Sequence, residues 1–174
     1  MYRKLFVILA ILLLTSFVVY KSKAVSPIPD VLETKQEEVL SSADSNYRDD
    51  LVKIMNDFSL KFVKQTQNSV KYQNEEITHE EFLTSIKDLH ESVKETESKI
   101  ILLRTPPEDM KEGVEKVFSG LHKLKSVTQT ILDFSEGKVP KEEIDKSESI
   151  FFEAMYDFDN AEEMLGIEIE RGQI

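Results

Sequence analysis

Three histidines, His79, His90 and His122, are the side chains with the most obvious chemical potential in a chain that has no cysteine. A carboxylate-bridged di-metal centre in a helical bundle needs Glu-x-x-His on two helices and further inward glutamates. Lys87 stands three residues before His90 and Ser119 three before His122. Only Glu76-Ile77-Thr78-His79 fits, and it straddles a predicted turn. His90 and His122 therefore read as half-exposed residues flanking an apolar stripe, with no metal or other cofactor expected. Asp157-Phe158-Asp159-Asn160 begins like a calcium loop but lacks the glycine and the twelfth-position glutamate, so it reads as the solvated face of a helix. The missing cysteines remove disulfides, thiolate catalysis, Cys-type zinc sites and haem attachment. There is no glycine-rich phosphate loop, serine elbow or basic aromatic patch. The chain is expected not to be an enzyme.

One further set of residues could form a site. Ser69, Phe82, Thr128 and Ser147 fall in one layer when the helical segments described below are laid side by side. Three hydroxyls and a ring at the same height are a candidate pocket for a small ligand. The same pattern also fits a frayed bundle end, where the first helix rotates to bring in Thr66 and Val70 and the hydroxyls bond carbonyls of their own helices. Glu75, Glu76, Glu80, Glu81, Glu136, Glu142 and Glu143 gather at that end, offset by Lys138 and Lys141. They suit a cation or a basic partner, or equally the compensation of helix N-terminal dipoles.

Four amphipathic segments must position these residues. The first, about 45–73, places Leu51, Met55, Phe58 and Phe62 on one face. The second, about 79–104, opens with a Thr78/Glu81 capping box and carries Phe82, Ile86, Leu89, Val93, Thr96, Ile100 and Leu103. The third starts at Thr105-Pro106-Pro107-Glu108, a second capping-box spacing, and carries Met110, Val114, Val117, Leu121, Leu124, Thr128 and Ile131 before Gly137 closes it. The fourth, about 141–165, carries Ile144, Ser147, Phe151, Ala154, Phe158, Ala161 and Leu165. Laid antiparallel, the stripes match: Val93 meets Val117, Phe82 meets Thr128, Val117 meets Phe158, Leu121 meets Ala154, Phe58 meets Val93 and Ser69 meets Phe82. Large side chains face small ones. Short connections force neighbours to run antiparallel, so the expected fold is all-α, an up-down-up-down four-helix bundle over 45–166 with a tail at 167–174.

The body is strongly acidic. The whole chain has a formal charge of −11, but residues 1–24 hold Arg3, Lys4, Lys21 and Lys23 and no acid. The remaining 18 basic and 33 acidic residues give −15. Such a surface repels phosphate backbones, so no nucleic-acid partner is expected.

Leu5–Tyr20 is an uninterrupted run, LFVILAILLLTSFVVY, fenced by basic residues. As a cleaved signal it ends at Ser22-Lys23-Ala24 and frees Val25. As an anchor its 16 residues span roughly 24 Å, short of a hydrocarbon layer of about 30 Å, a gap that snorkelling lysines and bilayer thinning can close. Both alternatives put the N-terminus inside and the body outside: a single-pass membrane protein if the run is retained, a secreted one if it is cut. Ser26-Pro27-Ile28-Pro29-Asp30 cannot continue a helix, so 25–44 reads as a stalk.

From Leu103-Arg104-Thr105-Pro106-Pro107-Glu108 and the helix with His122 that follows, the chain resembles the small uncharacterised exported or membrane-attached helical-bundle proteins of Gram-positive bacteria, over about residues 45–166. The lipid-attachment cysteine of many members is absent here, and the resemblance implies neither an activity nor site residues. The expected role is a non-enzymatic, extracytoplasmic domain that binds a partner protein or small ligand at the cell envelope. The alternative is a ligand-sensing or regulatory accessory module acting through another membrane protein.

Overall fold

The computed structural model describes residues 42–169. The apolar run, its cleavage site and most of the stalk lie outside the described residues. Four long helices follow one another: α1 (Ser42–Gln73), α2 (His79–Ile101), α3 (Lys111–Ser135) and α4 (Lys141–Leu165). They pack as an all-α four-helix bundle with antiparallel neighbours. Among the described residues no helix is long and apolar enough to cross a membrane.

The expected stripes form the core. Leu51, Met55 and Phe58 of α1 are buried with Phe82, Ile86, Leu89, Val93 and Ile100 of α2. Val114, Val117, Leu121, Leu124 and Ile131 of α3 and Ile144, Phe151, Phe158 and Leu165 of α4 complete it. The bundle closes through rings: Phe58 lies 6.2 Å from Phe158, and Phe62 stacks on Phe151 at 6.2 Å.

The helix ends follow local chemistry. Thr78 caps α2 by accepting from the Glu81 amide, and the Glu81 carboxylate accepts from the Thr78 N–H at 2.7 Å, so the capping box is complete. That bonding holds the Glu81 carboxyl below its usual range. Gly137, at φ +72°, turns the chain out of α3 as expected. The start of α3 differs from expectation. Thr105, Pro106 and Pro107 stay out of the helix, a 3₁₀ turn runs from Glu108 to Met110 without a side-chain cap bond, and α3 begins only at Lys111. Each proline disfavours helical geometry in the residue before it, which keeps the helix from starting directly after Thr105.

Helices α3 and α4 approach most intimately at two glycines seven residues apart. A Cβ on Gly113 would lie 2.5 Å from Cγ of Leu165, and one on Gly120 would lie 2.8 Å from Cε1 of Phe158. The glycines are thus sockets for large side chains of α4, and they fix the register of that pair.

Candidate functional site

The four residues of the expected layer are all buried. Ser69 Oγ donates to the Gln65 carbonyl at 3.1 Å, and Ser147 Oγ donates to the Ile144 carbonyl at 2.7 Å. Thr128 Oγ1 lies 3.1 Å from the Leu124 carbonyl and 3.0 Å from that of Lys125. Each hydroxyl therefore has a partner in the preceding turn of its own helix. Thr128 also reaches across to α2, where His90 Nδ1 lies 2.9 Å away. Phe82 stacks on Tyr72 at 4.6 Å, and the Tyr72 hydroxyl contacts His79 Nδ1 at 3.0 Å. Phe82 thus has a ring on α1 as a neighbour, and Thr128 has a histidine eight residues further along α2.

The histidines do not share a partner. His90 meets Thr128, whereas His122 Nε2 lies 3.3 Å from Glu97 Oε1. Burial, reinforced by the charge of Lys94, pushes the His90 imidazole below its ordinary value. Among the described residues no group of three His, Asp or Glu side chains is placed to hold a metal ion.

Asp157 corrects the expectation of a solvated face. It is buried on α4, with Oδ2 accepting from Ser119 Oγ at 2.6 Å and from Lys123 Nζ at 2.7 Å, and Lys116 Nζ lies 3.5 Å from Oδ1. Burial alone would favour the neutral acid. The hydrogen bonds from Lys123 and Ser119 and the charges of Lys123 and Lys116 outweigh it and hold the carboxyl below its usual range. This cluster clamps α3 to α4, and its groups already satisfy one another.

A second polar arrangement is not satisfied. Between α1 and α2 runs a groove of about 310 Å³, lined on one side by Lys61, Lys64, Gln65 and Asn68 and on the other by Ser85, Asp88, Leu89, Glu91, Ser92 and Glu95. Gln65 and Ser92 are buried, yet Gln65 Oε1 and Ser92 Oγ have no hydrogen-bond partner. The ion pair between Lys61 and Glu95, at 2.9 Å, bridges the groove. Gln65 lies one turn beyond Lys61 and Ser92 nearly one turn before Glu95, so the two residues sit at about one level on facing helices. Gln65 Nε2 reaches Ser69 Oγ at 3.5 Å, which puts one residue of the expected layer beside this groove.

Leaving a buried polar atom unpaired costs about 1–3 kcal/mol, so these two oxygens are a weak place in the α1/α2 seam. A larger groove of about 430 Å³ runs between α1 and Gly166–Glu168, but it is more open. The one orphan atom on its lining is Nε of the half-buried Arg48.

No protein-family model, curated protein or solved structure matches the chain.

Proposed function

We propose that the bundle is a non-enzymatic binding domain of the cell envelope that takes a small polar ligand between α1 and α2. The observation that carries this reading is the polar groove itself, backed by the buried, unpartnered oxygens of Gln65 and Ser92. A ligand that binds the folded state alone, at a hundred times its dissociation constant, stabilises it by about 2.7 kcal/mol. Thermal melting of the full chain against a panel of small polar metabolites tests this. At least one compound should raise the midpoint saturably by several degrees; a flat response across the panel counts against the groove.

An envelope location is supported from two sides. Leu5–Tyr20 is long and apolar enough for export or anchoring. Ile101 and Leu102, at 70% and 84% exposure, sit at the end of the bundle where α1 begins. Protease protection of the full chain in its host's membrane vesicles tests the location. Digestion of the body from the outer face only is expected, and digestion from the cytoplasmic face contradicts it.

The alternative role, an accessory module acting through another membrane protein, draws on Phe152 and Tyr156, exposed one turn apart on α4. A photo-crosslinker at position 156 that yields one discrete membrane-protein adduct in cells would favour it. No adduct would remove its support.

A further inference from the structure

We infer that the ligand of the α1/α2 groove is a small zwitterion of the amino-acid type, an ammonium and a carboxylate on one short frame. This rests on the groove being a binding site, and it adds the chemical class. The two walls carry opposite charge, with Lys61 and Lys64 on α1 facing Asp88, Glu91 and Glu95 on α2. Lys61 is taken by Glu95, and Glu91 is drawn to Lys94 at 2.9 Å on its own helix. Among the described residues Lys64 and Asp88 are left without an ion-pair partner, a cation and an anion on facing walls.

Other ligand classes fit less well. A lone anion would meet three carboxylates in a body of strongly negative charge. A lone metal cation would meet two lysines, and the groove's carboxylates do not converge as a metal site. An apolar molecule would desolvate Lys64 and Asp88 without pairing either.

A zwitterion satisfies each group. Its ammonium faces Asp88 on α2 and its carboxylate faces Lys64 on α1, with the polar side chains of Gln65 and Ser92 behind them. Leu89 supplies apolar lining for the carbon frame.

The test is calorimetric titration of the full chain with each free α-amino acid, with propionate and ethylamine as the carboxylate-only and ammonium-only probes. At least one amino acid should bind with both single-charge probes at least tenfold weaker, and Lys64→Gln and Asp88→Asn should each weaken it at least tenfold. Circular dichroism of the unliganded variants establishes that they remain folded. Equal binding by a single-charge probe, or an amino-acid affinity indifferent to both substitutions, overturns the inference. If the metabolite panel yields a non-zwitterionic ligand that is lost in Gln65→Leu, the groove stands as a site and the zwitterion assignment falls. If nothing binds, both fall together.

Discussion

Lys123 Nζ on α3 lies 2.7 Å from the buried Oδ2 of Asp157 on α4, and Ser119 closes the same carboxylate from 2.6 Å. Because the folded carboxyl is held below its ordinary value of 3.8, its stabilisation is present above that value and is lost as pH falls through the lower folded value. Asp157→Asn should cost about 1–3 kcal/mol at neutral pH. It should also remove part of the loss of stability in acid. Urea unfolding of both proteins at pH 7 and pH 3 checks the two statements.

Gly120→Ala should destabilise, although alanine favours a helix over glycine by about 1 kcal/mol. The added Cβ would meet the Phe158 ring at 2.8 Å, and forcing such a contact typically costs about 1–3 kcal/mol. A fall in the urea midpoint, partly restored by combining Gly120→Ala with Phe158→Leu, is expected. Independent effects of the two substitutions would show that the ring and the glycine are not coupled.

His90 gives a pH dependence of opposite origin. Burial and Lys94 lower its folded pKa, so the neutral form is favoured by folding. The associated stability is complete above the ordinary value of 6.5 and is lost as pH falls through 6.5 towards the folded value. The melting midpoint should drop between pH 7.5 and pH 5.5, and it should drop less in His90→Gln. An NMR titration of the imidazole reads the shift directly.

Ser147→Ala and Thr128→Val should differ. The Ser147 hydroxyl bonds only within α4 in the described contacts, and alanine is the better helix former, so its loss should change stability by less than about 1 kcal/mol. Thr128→Val also strips His90 of its cross-helix partner and should cost about 1 kcal/mol or more. Equal effects would mean that the His90 contact contributes nothing.

Much of the bundle is legible in the chain because burial imposes a period. Every core position on α4, from Ile144 to Leu165, follows from three-and-four spacing, and Thr78 with Glu81 announces the start of α2. Where a single residue type serves two purposes, the pattern is silent. Asp157 looks like any solvated carboxylate until Lys123 and Ser119 arrive from another helix. Gly113 and Gly120 look like weak helix residues until Leu165 and Phe158 fill the space beside them. The groove was hidden for the same reason. Gln65 and Ser92 are polar residues with no spacing that marks them as buried, and only the inter-helix geometry shows their oxygens buried without partners. The spacing of Gln65 from Lys61, four residues, and of Ser92 from Glu95, three residues, is the one signal in the chain.

The most direct test of whether that polar pair is kept for a ligand is the stability and binding of Gln65→Leu combined with Ser92→Ala. Replacing buried, unpaired polar groups by apolar ones of similar shape is neutral or stabilising, whereas polar groups that hold a fold together are missed when removed. The double variant is predicted to unfold at an equal or higher urea concentration than the parent and to lose all ligand-induced rise in melting midpoint. A variant that unfolds at markedly lower urea and keeps the ligand response would contradict the account.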